Sequence, residues 1–262
     1  MTQHSLRAHA RLSASGSSIW LNCTMSPLLS EGVPRKSNKY ADEGTSAHEY
    51  SQWRLAQRGI GKSKAVLPVV ALFENTLGVY LDYVESLAKQ TAFYAVEKRV
   101  SLAPLWESNN QTPPEVMFGT SDFVALTPDK ILHVVDLKFG AGIPVEPKDN
   151  SQGLYYALGT YLALPKDIMP PETIRITIVQ PRVSHTDGPI RHWDIPTIDL
   201  LDWGYSVLKP TVEVIAENDE TKLSFVEGKH CRWCPAASGR CPEKHKTKTK
   251  QAQHDFTDIV EP

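Results

Sequence analysis

One stretch of the chain, residues 119–139, reads Gly119-Thr-Ser-Asp-Phe-Val-Ala-Leu-Thr-Pro-Asp-Lys-Ile-Leu-His-Val-Val-Asp-Leu-Lys-Phe139. Two apolar runs, 117–126 and 131–138, flank a Thr-Pro-Asp-Lys segment whose proline and aspartate suit turn positions, which predicts a β-hairpin. Asp136 and Lys138 are two residues apart on one strand, so their side chains leave the same face. If the strands pair around the turn, Asp122 comes opposite Asp136. The stretch therefore predicts two carboxylates and a lysine at one end of a sheet.

Carboxylates held side by side are unfavourable without a further function, because each raises the pKa of the other. A divalent cation relieves this repulsion, and oxygen ligands suit Mg²⁺ or Mn²⁺. Such a cation polarises a phosphate and lowers the pKa of bound water. The Asp-x-Lys pattern is short and recurs by chance, so an ordinary surface ion pair remains the alternative for these residues taken alone.

The segments around the hairpin alternate between helical and strand periodicity. Apolar residues recur at three- and four-residue spacing or alternate along the chain, and turn residues separate the segments. The predicted helices are 38–58, 69–89, 151–163 with Ser151 as N-cap, and part of 198–218, where Pro210 is expected to break the helix. The further predicted strands are 93–102, 173–179 and 190–195. Residues 106–114 are predicted to form a polar connection. This order predicts a mixed α/β core whose sheet is covered on both faces.

The composition places the chain among ordinary globular proteins. It has 262 residues, 41% hydrophobic residues and a net charge of −2, which excludes a disordered or strongly basic protein. No apolar run approaches the roughly 18 residues of a membrane helix, and the N-terminus has no signal-peptide core. We therefore expect a cytoplasmic protein without a membrane partner.

Four cysteines provide a second candidate site. Cys231, Cys234 and Cys241 form a Cys-x2-Cys-x6-Cys run, and Cys23 lies far upstream. In a cytosolic protein, cysteines are more often metal ligands or free thiols than disulfides. A Cys-x-x-Cys turn brings two sulfurs to one side, and a four-cysteine zinc site is a direct competitor of an iron–sulfur cluster.

Taken together, these motifs resemble the PD-(D/E)XK nuclease superfamily. Gly119-Thr-Ser-Asp122 followed by Val135-Asp-Leu-Lys138 is similar to its core. Gln152-Gly-Leu-Tyr-Tyr156 resembles the Gln-x-x-x-Tyr motif of the RecB branch, and Glu43-Gly-Thr-Ser-Ala-His48-Glu49 resembles that branch's first-helix motif.

The resemblance implies a role for each matching residue. His48, Asp122, Asp136 and the backbone carbonyl of Leu137 would bind Mg²⁺ or Mn²⁺, and Lys138 would be the catalytic lysine. Gln152 and Tyr156 would position DNA or the catalytic groups. Glu49 and Glu97 are supporting candidates only; Glu97 either supplements the site from the preceding strand or pairs with a neighbouring lysine.

The cysteine arrangement resembles the iron–sulfur staple of AddB-type nucleases and of CRISPR-associated RecB-like exonucleases. By this resemblance Cys23, Cys231, Cys234 and Cys241 would hold a 4Fe–4S cluster that joins the N- and C-terminal extensions, with structural Zn²⁺ as the alternative. The opening Leu12-Ser-Ala-Ser-Gly-Ser-Ser-Ile-Trp-Leu-Asn-Cys23 is similar to uncharacterised phage-encoded RecB-like nucleases.

The predicted organisation is one nuclease domain, 1–242, with an irregular arm 1–37, a core of about 38–180, a helical and cysteine-bearing segment 181–242, and a flexible tail 243–262. The predicted function is that of a DNA exonuclease in phage DNA recombination, replication or repair. Its expected substrate is linear single- or double-stranded DNA in a bacterial host cell, and a single-strand-binding or annealing protein is a further expected partner. Two alternatives are a catalytically silent nuclease-fold protein that binds DNA or a partner, and a zinc protein with an unrelated α/β core.

Overall fold

The computed structural model describes residues 10–34 and 39–244. Its centre is a five-stranded sheet of order β1-β2-β3-β4-β5, with β3 and β4 parallel and every other pair antiparallel. The strands are β1 Tyr94–Ser101, β2 Phe118–Leu126, β3 Ile131–Leu137, β4 Thr173–Val179 and β5 Ile190–Pro196. The helices are α1 Ser17–Trp20, α2 Ser26–Ser30, α3 Lys39–Gln57, α4 Ala71–Ala88, α5 Pro104–Glu107, α6 Ser151–Leu162, α7 Thr197–Asp202 and α8 Lys209–Glu217. This is the mixed α/β arrangement that the periodicity predicts.

Helices cover both faces of the sheet, because its side chains alternate between two apolar cores. Val124 and Val134 point into a core with α6, the N-terminal arm and α8. Phe123 and Val135 point into a second core with α3 and α4. The connection from β3 to β4 runs through α6, as a parallel strand pair requires.

Helix α6 begins at the predicted residue but has a different cap. Asn150, not Ser151, is the N-cap, and its side chain accepts a hydrogen bond from the Gly153 N–H. Ser151 lies inside the first turn, where its Oγ is 2.7 Å from Ser17 Oγ. Asn150, one position before Ser151, has the extended backbone that an N-cap requires.

Three segments differ from the sequence prediction. The arm before Lys39 contains the short helices α1 and α2 and buries Leu12 and Trp20 in the core, so it is more regular than expected. The connection after β1 includes the short helix α5, which buries Trp106. Pro210 does not break its helix, because it lies in the first turn of α8 after a π-helical segment, Trp203–Leu208, where its missing N–H is tolerated.

The predicted tail 243–262 lies outside the described residues from position 245 onward, as do positions 1–9 of the predicted arm. Among the described residues, every helix is too short or too polar to cross a membrane.

Candidate functional site

The two hairpin carboxylates lie where β2 and β3 separate. The ladder ends with the pair Phe123 and Val135, and the same register places Asp122 opposite Asp136. Here the Leu137 N–H donates to Asp122 Oδ2 at 2.7 Å instead of to a strand carbonyl. Both carboxylates are nearly inaccessible, with 8% of Asp122 and 4% of Asp136 exposed. The predicted juxtaposition is therefore present, at a point where the sheet opens.

A histidine from α3 reaches the first carboxylate. His48 Nδ1 is 3.2 Å from Asp122 Oδ1. Helix α3 buries Ala47 and Tyr50 on either side of this position, so packing of the helix against the sheet directs His48 to the opening. The structure thus brings together three residues that are distant in sequence: the histidine of the first-helix motif and the two hairpin aspartates.

A chain of polar contacts joins the second carboxylate to α6. Lys138 Nζ lies 2.7 Å from Asp136 Oδ2 and donates to Gln152 Oε1 at 2.7 Å. Gln152 Nε2 in turn donates to the Tyr156 hydroxyl at 3.1 Å. Gln152 and Tyr156 lie one helical turn apart on α6, so the helix presents both to the same face. The amide holds the lysine while the lysine faces the carboxylate.

The buried charges change one another's pKa values. Burial raises the pKa of Asp122, but His48, the Leu137 N–H and Lys138 outweigh burial and lower it overall. Burial together with the Asp122 charge raises the pKa of Asp136 above its ordinary value in spite of Lys138. Burial opposes protonation of His48, but Asp122 above all raises the pKa of this imidazole to about 9.

The carboxylates therefore hold a proton on His48 at neutral pH. A cation that binds the His48 imidazole must displace that proton.

Within the described residues, one group of three or more candidate ligands has all its donor atoms within 4.8 Å of one another, and it consists of His48, Glu97 and Asp122. One nitrogen and two carboxylate oxygens at this spacing fit a divalent transition ion. Asp136 and Glu49 lie outside this group, and Asp136 is directed instead to Lys138.

A large cleft of about 1610 Å³ opens beside these residues. His48, Lys138 and Gln152 line it, together with the loop from Gly140 to Glu146 and the cysteine-bearing segment around Trp233. In the sequence, Lys148, Arg182 and Arg191 are candidates for phosphate contacts, since phosphates are bound chiefly by cations and backbone amides. Of these three, Lys148 lines the cleft. The cleft is larger than the roughly 300–1,000 Å³ of small-molecule pockets, so it has room for part of a polymer.

The other two expected phosphate contacts have structural partners. Arg191 is 4% exposed and donates to the carbonyls of Gly188 and Val145 and to Gln180 Oε1, so the expectation that it contacts phosphate is wrong. Arg182 donates to Glu43 Oε2 at 2.7 Å and lies over the Phe139 ring.

Sequence reasoning missed the role of Gln180. It is 2% exposed, accepts from the Val145 N–H and donates to the Ile143 carbonyl at 2.8 Å. With Arg191 it fixes the cleft loop that follows Lys138. The only signal in the sequence is a polar residue directly after an apolar strand.

The four cysteines line one small cavity. The chain ends meet there: the Met25 N–H donates to the Ser224 carbonyl at 3.2 Å, and the Ser224 N–H donates to Thr24 Oγ1 at 2.8 Å. Cys23 is thereby held beside the loop that carries Cys231 and Cys234. Burial raises the pKa of Cys234, and the neighbouring Cys23 raises it further.

The spacing of these sulfurs is wide. In a tetrahedral zinc site with Zn–S bonds of about 2.3 Å, sulfurs lie about 3.8 Å apart. All four cysteines belong to the described residues, yet no three of their Sγ atoms lie within 4.8 Å of one another. The four cysteines therefore share one cavity without the close sulfur packing of a tetrahedral zinc site.

The chain is similar to one described family and to several solved structures, which include the following two. The crystal structure of a "Putative exonuclease" from Eubacterium rectale shares 14% identity, covers 83% of this chain and 87% of that chain, and has a TM-score of 0.43. The crystal structure of SSO0001 shares 12% identity, covers 87% of this chain and 96% of that chain, and has a TM-score of 0.35. A family described as "Protein of unknown function (DUF2800)" matches residues 9–261. Since that match spans nearly the whole sequence, the chain belongs to the DUF2800 family.

Proposed function

We propose that this protein is a metal-dependent DNA nuclease with a PD-(D/E)XK core, acting as an exonuclease. The observation that carries the proposal is the contact chain from Asp136 through Lys138 to Gln152, beside the Asp122–His48 pair and open to a large cleft. The ion pair between the half-buried Lys138 and the buried Asp136 has little value for stability alone, because desolvation offsets much of its energy.

The residues divide the chemistry among them. Asp122, Asp136 and His48 would hold Mg²⁺ or Mn²⁺, with the Leu137 carbonyl as a further ligand. When bound, the cation polarises the scissile phosphate and acidifies water. Lys138 holds its ammonium where negative charge develops on the phosphate, and Gln152 fixes its direction. Tyr156 keeps the Gln152 amide in one orientation through its hydroxyl.

Linear DNA is the proposed substrate, and the cleft that contains Lys138 and Lys148 is the proposed binding surface. Phosphate contacts from such cations make binding salt-dependent. A role in phage DNA recombination, replication or repair, and a single-strand-binding or annealing partner, stay predictions that rest on the sequence resemblance alone.

We further propose that Cys23, Cys231, Cys234 and Cys241 hold a 4Fe–4S cluster with a structural role. Their shared cavity and wide sulfur spacing favour a cluster over a single Zn²⁺ ion. Absorption near roughly 400 nm, as thiolate-bound iron gives, together with iron and sulfide analysis of anaerobically purified protein, separates the two, since a zinc protein is colourless.

A nuclease assay tests the proposed activity. End-labelled linear and closed circular DNA, single- and double-stranded, are incubated with Mg²⁺, Mn²⁺ or EDTA. We expect metal-dependent degradation of linear DNA that spares circles. Asp136→Ala and Lys138→Ala should each reduce the rate by at least about 100-fold, because each removes a group that acts on the reacting phosphate.

Asp129→Ala, in the exposed turn at the other end of the same hairpin, is the matched control and should cleave like wild type. If folded wild-type protein binds DNA but cleaves none of these substrates with any metal, the nuclease proposal is wrong, and the protein is a nuclease-fold DNA-binding or partner-scaffolding protein.

A further inference from the structure

Trp233 is a large apolar side chain that the fold leaves in contact with solvent. It is 64% exposed, although tryptophan is on average one of the more buried residue types. It ends a 3-10 helical turn, Lys229–Trp233, and lies between Cys231 and Cys234 in the chain. Both cysteines line the small cysteine cavity, whereas Trp233 lines the large cleft. The turn therefore presents the indole to the space proposed for DNA and not to the other cysteines.

The charge of the cleft is balanced rather than basic. Among its described lining residues, three lysines accompany three carboxylates: Lys138, Lys148 and Lys229 with Glu146, Asp149 and Glu227. Lys138 is moreover paired with Asp136. Because the electrostatic part of DNA affinity grows with the number of phosphates that cations neutralise, phosphate contacts alone give this cleft modest affinity. Contacts to the bases therefore have more to contribute here than in a strongly basic groove.

An exposed indole provides a base contact that depends on the form of the DNA. In a duplex the faces of the bases are covered by neighbouring bases, whereas the bases of a single strand are free to stack on an aromatic side chain. Every base has a π-face, so this contact tolerates any sequence. Arg232 adds a cation beside the ring, with its Cζ 5.3 Å from the Trp233 ring centroid. A guanidinium in this position can contact the phosphate of a stacked nucleotide.

We propose that Trp233 stacks on an unpaired base in the cleft, so that single-stranded DNA, or the single-stranded end of a duplex, is the form that this protein binds most tightly. The inference rests on the proposed nuclease function and narrows its substrate from linear DNA to unpaired strands. Tyr40, in the first turn of α3, is also 64% exposed and lines the same cleft, so a second base has an aromatic surface there.

DNA binding without cleavage tests this assignment. Fluorescence anisotropy measures the affinity of the anaerobically purified full chain, in EDTA, for labelled oligothymidine and for a blunt duplex of the same length. We expect wild type to bind oligothymidine at least about tenfold more tightly than the duplex. Trp233→Ala should weaken oligothymidine binding at least about fivefold and leave duplex binding unchanged within about twofold. Trp233→Phe retains an aromatic face and should keep most of the affinity.

Two controls separate stacking from other effects. Tyr205→Ala removes an aromatic side chain that is 42% exposed in the π-helical segment, outside the cleft, and should bind like wild type. An abasic oligonucleotide presents the same phosphates without bases, so Trp233→Ala should not weaken its binding. An equal loss of affinity for the abasic strand and for oligothymidine would overturn the proposal. Unchanged oligothymidine affinity in Trp233→Ala, or tighter binding of the duplex by wild type, would do the same.

The outcome is separable from that of the nuclease assay, because binding is measured without a divalent cation. If oligothymidine binding depends on Trp233 but no DNA is cleaved with any metal, the stacking assignment stands and the nuclease proposal fails. If linear DNA is cleaved but Trp233→Ala binds oligothymidine like wild type, the reverse holds.

Discussion

His133 is a buried histidine outside the candidate site. It is 5% exposed on β3, and its Nε2 lies 3.2 Å from Thr127 Oγ1. Burial and the nearby Arg175 lower its pKa to about 4, against 6.5 for a free imidazole. The folded state therefore excludes a proton that the unfolded chain binds between these two values, and stability should fall as the pH drops through this window.

The pH dependence of stability tests whether the pKa of His133 is lowered in the folded protein. The free energy of unfolding of wild type and of His133→Gln is measured in urea at pH 7 and pH 4.5. Because glutamine does not titrate, the advantage of wild type should shrink by about 2 kcal/mol at the lower pH. An advantage that stays the same at both pH values would show that His133 does not titrate in this way.

At this scale, short-range periodicity is what made the candidate site predictable. Asp136 and Lys138 share a face because a strand repeats every two residues, and Gln152 and Tyr156 share one because a helix repeats near every four. Glu97 was only a supporting candidate in the sequence. The alternation of residues 93–102 is that of an ordinary strand, and it does not indicate that Glu97 has a positive φ.

Helix α6 approaches the sheet closely because two of its residues lack side chains. A Cβ on Gly153 would lie 2.4 Å from Ile176 Cγ2, and one on Gly159 would lie 2.8 Å from Val100 Cβ. Gln152 is next to Gly153, so this close approach also determines how near the amide lies to Lys138. The position of α6 thus connects core packing to the candidate site.

Gly153→Ala should therefore destabilise the protein by about 1–3 kcal/mol, because overpacking outweighs the better helix propensity of alanine. Equilibrium unfolding in urea measures the change. Gly78→Ala is the matched control in α4, where a Cβ meets nothing within 4 Å, and it should stabilise by up to about 1 kcal/mol. Stabilisation by both substitutions would show that α6 does not pack this tightly.

The types and approximate limits of the core elements were predictable, whereas the details at their ends were not. Strand β4 has the predicted bounds, 173–179, because alternation is strongest there. The shift of the α6 cap from Ser151 to Asn150 depends on one backbone angle, and both residue types are good caps. Pro210 was expected to break a helix because the preceding π-helical segment has no sequence signal.

At the scale of the whole molecule, the cysteine cavity joins the two ends of the described chain. Besides the contacts at Ser224, Arg240 Nη1 donates to the Glu31 carbonyl at 2.5 Å. A group bound by Cys23 and Cys231 would close a loop of roughly 200 residues, which in chain-entropy terms is worth about 5 kcal/mol. Without it, these segments are held by the hydrogen bonds at Ser224 and Arg240 and by the packing of Met25 and Leu223 in the core.

Cys23→Ser should therefore lower the unfolding temperature of the metal-loaded protein by several degrees, because it releases this loop. The same substitution in protein stripped by an oxidant and a chelator should have little effect, since the loop is already open. Differential scanning fluorimetry measures both comparisons. An equal loss in loaded and stripped protein would mean that Cys23 contributes through packing alone.

Local sequence patterns were enough to predict the element types, the hairpin with Asp136 and Lys138 on one face, and the helix face with Gln152 and Tyr156. These features depend on residues within a turn or a strand of one another, where backbone geometry dictates the spacing. The folded chain was needed to show that the His48 and Glu97 side chains lie beside Asp122, that Gln180 and Arg191 fix the cleft loop, and that Cys23 shares a cavity with the C-terminal cysteines. Such contacts depend on strand register and on how helices pack over the sheet, and these are set by the burial of both cores together rather than by any one segment.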